Sequence, residues 1–412
     1  YQKMAKDKKT KPSKELPLGF LDRKERELKF RDLIISKIKE IMTVYGFQYL
    51  ETPSFEYSES IGKFLPDKER PDEGIFSFKD ENRWLSLRYD LTAPLARYVA
   101  KNFMEIPKPF KRYQLGTVWR NEKPGPGRYR EFLQLDADFV GTKNLMADAE
   151  LLLMAVEILK SCGLKDNEFN IKFSSRLFLN EILADVKDDA VKLKVLRSLD
   201  KIERLGINEV KKLLGKGRQD ESGDFTQGAS LSDKQIDFIL EQVKNPSFIN
   251  VSKNTKESAY SQINEFKKCL ELFDLKNIEF DPSIVRGLEY YTGIIFEINL
   301  NFEVTNYEGK NIKFGSIGGG GRYDNLINNF GDYNLPATGL SIGLDRLVYA
   351  LMQKQSLQIK ENKPVIICVF DNRQLKEYIK IVKLLREANI NSEIYSGEGK
   401  LKKQMEYANK LR

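Results

Sequence analysis

The sequence predicts an α+β protein: an antiparallel sheet flanked by helices, interrupted by a helical insertion and followed by the opening of a separate α/β unit. Three observations predict it. Strand-like runs follow one another across hairpin-length loops, with helical runs before and between them, which suits an antiparallel sheet carrying helices. The fingerprints of doubly wound nucleotide folds, GxxxxGK[ST] and GxGxxG after a first strand, are absent; the tetraglycine 318–321 and Gly215-Lys216-Gly217 are superficial look-alikes. The length of 412 residues, with 41% apolar and 31% charged residues, allows two or three globular domains with a sizeable core.

Residues 1–18 read as a basic arm. Apolar residues then recur at helical spacing from Arg23 to about Tyr45 (Leu28, Phe30, Leu33, Ile34, Ile38, Ile41, Met42), and Gly46 suits the stop. Residues 48–56 (QYLETPSFE) read as a strand whose Pro53 marks an edge or interface. Residues 84–90 alternate as a strand, and Leu91-Thr92-Ala93-Pro94 opens a helix with Thr92 as cap and Pro94 in the first turn. Strands at 113–120 and 131–140 are joined by the loop 121–130, and 144–162 reads as a strongly amphipathic helix ended by Gly163. Residues 185–255 are charged and mostly helical around the loop-like GKGRQDESGDF, an inserted module. A helix at about 258–273 precedes strands at 283–286, 293–300 and 313–318; residues 318–321 lead into a short helix, and a last helix of this body starts near Gly343. After a linker at 355–362, residues 364–371 (PVIICVFD) read as a buried strand, 373–388 as a helix and 391–395 as a strand. A parallel sheet needs more strands than that, so the chain is expected to end inside its last domain.

The net charge of +8 is unevenly placed: the first 14 residues carry +5 and the last 14 carry +4, which leaves −1 for everything between. Composition alone therefore argues for no broad nucleic-acid surface, and the arm 3–14 is either a phosphate contact or a solvated tail. Cys162, Cys269 and Cys368 have no zinc or CxxC spacing and suit a reducing cytosol. No apolar run follows the N-terminal lysines, and the longest apolar stretch, 151–156, is too short for a bilayer; a cytoplasmic protein without a membrane partner is expected. The chain contains no histidine, which excludes His-based nucleophile activation, general base catalysis and metal ligation.

Five stretches put charged or polar side chains where a core strand wants apolar ones: 87–98 (LRYDLTAPLARY), 118–138 (VWRNEKPGPGRYREFLQLDAD), 283–297 (SIVRGLEYYTGIIFE), 315–326 (GSIGGGGRYDNL) and 337–347 (ATGLSIGLDRL). Read as a strand, 131–139 sets Phe132, Gln134, Asp136 and Asp138 on one face and Leu133, Leu135, Ala137 and Phe139 on the other. Arg120 on the preceding strand can reach the polar face. Arg286, Tyr290 and Tyr291 come from a strand-like segment, and Arg346 from a helix start. Arginines converging with tyrosines and carboxylates point to an anionic substrate, since guanidinium grips phosphate or carboxylate bidentately and keeps its charge.

These stretches resemble the histidyl-tRNA synthetases, class II aminoacyl-tRNA synthetases, from about Leu18 to the end. The helix ending at Gly46 with QYLETPSFE is similar to motif 1, whose proline, here Pro53, belongs to a homodimer interface; 120–138 resembles motif 2 and 339–346 motif 3. RGLEYYTG and GGGGRYD resemble the pair peculiar to the histidine enzymes, and RNEKPGPGRYREF and GRQDESGDFT are most like the alphaproteobacterial form. The resemblance implies a catalytic domain on the class II antiparallel sheet in two pieces, 19–184 and 256–354, around the helical insertion 185–255, and a partial α/β anticodon-binding domain at 363–412. It implies ATP- and Mg²⁺-dependent activation of L-histidine and its transfer to the 3′ end of tRNA(His). In that reading Arg120 sits on the α-phosphate, Arg286 between that phosphate and the histidine carboxylate, and Arg346 and Arg128 at the β/γ end. Phe132 stacks under adenine with Arg346 above, and Glu122 meets Mg²⁺ or adenine. Asp90, Thr92 and Gln134 take the amino group, Asp138 and Tyr291 the imidazole beside Tyr290, and Tyr323 closes the pocket. The alternative is the synthetase-like regulatory subunit of ATP phosphoribosyltransferase, which binds histidine without charging tRNA.

Overall fold

The computed structural model describes residues 13–62, 74–219, 223–246, 258–285, 290–306, 308–354, 357–358 and 363–411. The chain divides into two compact units, Tyr1–Leu357 and Gln358–Arg412.

The first unit opens with α1 (Glu25–Val44), where Phe30, Ile34, Ile38 and Met42, four apart, form one buried face. Gly46 follows at φ 72°, a left-handed conformation natural to glycine. The strand expected at 48–56 is two short ones, β1 (Gln48–Tyr49) and β2 (Phe55–Tyr57), on either side of Pro53, which has no N–H for a ladder. They are followed by α2 (Ser58–Gly62), β3 (Ser77–Asp80) and β4 (Arg83–Leu87). The last stops before the expected Asp90 because Asp90 begins the next helix, α3 (Thr92–Lys101): its Oδ1 accepts from the Thr92 and Ala93 N–H groups at 3.2 and 3.0 Å. The N-cap position is Leu91, and the side chain that takes the free N–H groups is Asp90, not Thr92.

β5 (Phe110–Trp119) and β6 (Glu131–Val140) pair antiparallel over their whole length. α4 (Met146–Ser161) is buried nearly all round, exposing only Glu157 and Lys160, so it is a core helix and not the amphipathic surface helix expected. β7 (Phe169–Ser175) and α5 (Arg176–Ile182) were not anticipated. Between 185 and 255 come α6 (Asp189–Leu199), α7 (Ile202–Leu205), α8 (Ile207–Leu214), β8 (Gly217–Gln219), β9 (Phe225–Gln227) and α9 (Asp233–Lys244); the described residues of the loop-like stretch contribute to an antiparallel β8–β9 pair. After α10 (Ala259–Leu272) the edge strand is β10 (Ile278–Phe280), and residues 283–285 are not strand. β11 (Ile294–Thr305) and β12 (Asn311–Arg322) make a longer hairpin than expected, with the tetraglycine inside β12. The glycine run is strand because the neighbouring backbone leaves no room for side chains: a Cβ on Gly320 would fall 1.9 Å from the Gly339 carbonyl oxygen. β13 (Ala337–Gly343) leads directly into α11 (Leu344–Lys354).

Among the described residues eight strands form one sheet in the order β1-β5-β6-β13-β12-β11-β7-β10, antiparallel except for the parallel outer pairs β1–β5 and β10–β7. Helices α1, α4, α10 and α11 flank it. In the second unit β14 (Val365–Ile367) pairs parallel with β15 (Ser392–Ile394) across α12 (Leu375–Glu387), the expected βαβ opening, followed by an unanticipated α13 (Leu401–Lys410). β14 is shorter and less buried than expected, with Val365 exposed.

Candidate active site

Register places the polar face of β6 in rows across the sheet. Asp138 lies between Arg112 on β5 and Gly339 on β13, Asp136 between Gln114 and Ser341, and Gln134 between Gly116 and Gly343. Opposed residues share a face, so small residues on one side leave the β6 side chains room.

Asp136 joins the others. Its Oδ1 accepts from Gln134 Nε2 at 2.7 Å and from Ser341 Oγ at 2.5 Å, and its Oδ2 accepts from Thr92 Oγ1 at 3.3 Å. Period-two alternation puts Asp136 on the polar face, and its parity with Gln134 and Asp138 is the sequence signal for a place in the site. Asp90, beside it, has its carboxyl pKa raised by burial and by Asp136, against the Ala93 N–H and Arg120.

Asp138 is buried. Its Oδ1 accepts the hydrogen bond of the Tyr323 hydroxyl, and Arg112 Nη2 is 3.0 Å from its Oδ2. Burial pushes its pKa up to about 6; Arg112 and the Tyr323 hydroxyl pull it down, while Asp136 and Asp90 add to the rise. Tyr323, the residue expected to close the pocket, is thus the hydroxyl partner of Asp138. Tyr290 packs between the other two tyrosines, with ring centroids 4.7 Å from Tyr291 and 6.2 Å from Tyr323. The two stretches carrying these tyrosines are tied together: Thr292 N donates to the Arg322 carbonyl at 2.8 Å, and Thr292 Oγ1 to Asp324 at 3.0 Å. Arg286 lies outside the described residues.

A cavity of about 200 Å³ opens at the Gln134 end, lined by Arg120, Glu122, Arg128, Phe132, Gln134 and Arg346 with the backbone of β12 and β13. Arg120 is held by Nε donating to the Tyr89 carbonyl at 3.2 Å and Nη2 to Gln134 Oε1 at 3.5 Å. Its guanidinium lies 4.5 Å from the Tyr89 ring and 5.3 Å from Phe132. Burial opposes its charge but is outweighed by Tyr89, Glu122, Asp90 and Tyr290, which hold the pKa above its ordinary value. The Tyr89 hydroxyl donates to Glu122 Oε1 at 2.7 Å. Arg128 is exposed on a tight turn whose Gly127 has φ 63°, following Pro126. Arg346 donates to the carbonyls of Ser316 at 2.8 Å and Phe314 at 2.9 Å and lies 4.4 Å from the Phe314 ring. Its neighbour Asp345 accepts from Arg23 Nη2 at 2.6 Å and from the Leu133 N–H at 2.8 Å, so α11, β6 and the segment before α1 meet at one carboxylate.

Among the described residues no group of three or more Cys, Asp or Glu side chains is arranged to hold a metal ion, and no helix is long and apolar enough to cross a membrane.

Comparison with known proteins places the chain in a family. The family model described as Histidyl-tRNA synthetase matches residues 19–347. The histidine–tRNA ligase of Bartonella henselae is 44% identical over 98% of this chain and 86% of its own length. That of Brucella ovis is 43% identical over 98% and 85%. Among solved structures, histidyl-tRNA synthetase from Nostoc sp. PCC 7120 superposes with a TM-score of 0.71 at 25% identity, covering 97% of this chain and 90% of that one. A Bacillus halodurans C protein described as an ATP phosphoribosyltransferase regulatory subunit/histidyl-tRNA synthetase has a TM-score of 0.71 at 24% identity, covering 96% and 97%; at that identity it shows a shared fold alone. The alphaproteobacterial relatives and the family match over most of the sequence lead to one assignment: the chain belongs to the histidyl-tRNA synthetase family.

Proposed function

We propose that this chain is a histidine–tRNA ligase acting in the cytoplasm. It converts L-histidine and ATP to histidyl-adenylate and pyrophosphate, then passes the histidyl group to the 3′ end of tRNA(His). The observation that carries the reading is the continuity of two side-chain sets through Gln134. The five residues expected at ATP, Arg120, Glu122, Arg128, Phe132 and Arg346, line one cavity with Gln134. Gln134 in turn hydrogen-bonds Asp136, which takes the Thr92 hydroxyl.

In the first step a histidine carboxylate oxygen attacks the α-phosphorus, and the bond to the pyrophosphate oxygen breaks in line. The obstacle is the approach of two anions and the charge gathered on phosphorus, so fixed cations lower the barrier without any proton transfer. That suits a chain without histidine. Arg120 is pre-oriented by two hydrogen bonds and two ring faces, ready to meet the α-phosphate without reorganising. The resemblance assigns Arg286 to the place between the histidine carboxylate and that phosphate. Phe132 offers a ring face to adenine, and Arg128 and Arg346 offer cations to the outer phosphates. Mg²⁺ takes oxygen ligands, which the Glu122 carboxylate on the cavity wall fits; bound with ATP it neutralises phosphate charge.

Asp90, Thr92 and Gln134 supply acceptors for the substrate ammonium, and Asp138 with the tyrosines supplies the acceptor and donor that a neutral imidazole needs. Exposed Phe55, Tyr57 and Phe78 share one face of the small β2-β4-β3 sheet next to Pro53, an apolar surface suited to the homodimer. The βαβ start of the second unit is read as the opening of the anticodon-binding domain. Incubating the chain with labelled histidine, ATP, Mg²⁺ and tRNA(His) should yield acid-precipitable histidyl-tRNA; adenylate formation without it would remove the transfer step.

A further inference from the structure

We infer that Arg112 is a positioning residue of the histidine pocket: from β5 it fixes the Asp138 carboxylate as an anionic acceptor, so that the pocket takes the neutral imidazole ring. The inference rests on the reading of Asp138 as the imidazole acceptor. Arg112 is 0% and Asp138 2% exposed, and the two are direct partners across β5 and β6. Arg112 Nη2, 3.0 Å from Asp138 Oδ2, also donates to the Leu91 carbonyl at 2.8 Å. One guanidinium thus ties Asp138 to the peptide between Asp90 and Thr92, the two residues that open α3.

The arrangement is costly for a merely structural pair. Arg112 Nε and Nη1 are buried without a hydrogen bond, and burying a guanidinium to pair it with a carboxylate is often no more stable than apolar packing. What it does supply is the sign of the local field. From α3's approach Asp90 faces Asp138, from its own strand Asp136 does, from beyond β12 the Tyr323 hydroxyl does, and on β13 the facing residue is Gly339, with no side chain. Arg112 is the cation among them. The Tyr323 hydroxyl occupies Oδ1, while Oδ2 is ion-paired to Arg112 but accepts no hydrogen bond, which leaves it as the acceptor for a ring N–H. Without Arg112, burial and two neighbouring acids put a proton on Asp138, turning an acceptor into a donor. With it, the pair is neutral overall and gives imidazolium no advantage over imidazole.

The test is the pH dependence of histidine kcat/KM in ATP–pyrophosphate exchange from pH 5.5 to 8.5, using the full chain. Arg112→Met should move the acid limb up by about one to three pH units, the usual effect of an opposite charge at this range, with ATP KM unchanged. Arg112→Lys should return the limb toward wild type. If Arg112→Met does not fold, Arg112→Gln, which keeps a donor for the Leu91 carbonyl, is measured instead and should shift the limb likewise. A limb that stays in place, or a loss uniform across pH and shared by ATP, makes Arg112 structural and overturns the inference. Absence of histidine-dependent exchange in the wild type would instead sink the proposed function itself.

Discussion

Gly339 lies directly opposite Asp138 across β13 and β6, and a Cβ at Gly339 would fall 2.1 Å from Asp138 Oδ1. The buried carboxylate therefore occupies the space that any side chain at 339 would need. The glycine serves the acid beside it, since a residue at 339 must push aside a group already held by Tyr323 and Arg112.

Gly339→Ala should thus raise histidine KM by on the order of 10²-fold, the cost of displacing a substrate-positioning group by about 1 Å, while ATP KM changes little. Overpacking should lower stability by about 1–3 kcal/mol. Steady-state exchange kinetics with a thermal melt check both; unchanged histidine KM would separate Gly339 from the histidine pocket.

Acidification should weaken histidine binding before it weakens the fold. The Asp138 pKa of about 6 lies above its unfolded value, so its ionised form opposes folding at neutral pH, and that opposition is relieved as pH falls through 6. The same fall removes the proposed imidazole acceptor and protonates histidine, whose side chain has an ordinary pKa of about 6.5. Histidine KM should rise steeply below about pH 6.5 with no matching drop in Tm from this group; parallel loss of both would contradict it.

Phe132→Ala and Arg120→Ala should fail differently. Loss of the ring face should raise ATP KM by about tenfold, a typical value for one base on one aromatic ring. Loss of the guanidinium should lower kcat by on the order of 10²–10³. Equal effects on both constants in both variants would count against separate roles.

Asp345→Ala should destabilise the protein by about 1–3 kcal/mol, because it leaves the Leu133 N–H without its acceptor and takes one of two carboxylates from Arg23, which keeps Glu27. It should also raise ATP KM, since Asp345 anchors the helix turn that carries Arg346. Urea melts and exchange kinetics measure the two effects separately.

The chemistry was legible where side-chain type broke the pattern of its element. Gln134 and Asp138 stand out as polar residues at period two on a strand that is otherwise core, and the family stretches name the arginines. What was hidden depends on tertiary pairing. Arg112 reads as an ordinary surface charge until register puts it beside Asp138, although its parity with Gln114 and Arg120 was a signal. The tetraglycine reads as the lead into a short helix, and only the close approach of β13 makes it strand. Thr92 looked like a helix cap because its type suits one, but Asp90 two residues earlier takes the free N–H groups and frees the Thr92 hydroxyl for Asp136. α4 has polar residues enough to look amphipathic, yet neighbouring elements cover it on nearly every side.

The central claim is histidine activation at the Gln134-linked pocket, and amino-acid-dependent ATP–pyrophosphate exchange tests it most directly. Each standard amino acid is offered in turn to the purified chain with ATP, Mg²⁺ and labelled pyrophosphate. Label should enter ATP with histidine and stay at background with every other amino acid. Exchange driven by another amino acid, or histidine binding with no exchange at all, would contradict it, the latter being the behaviour of a regulatory subunit and not of a ligase.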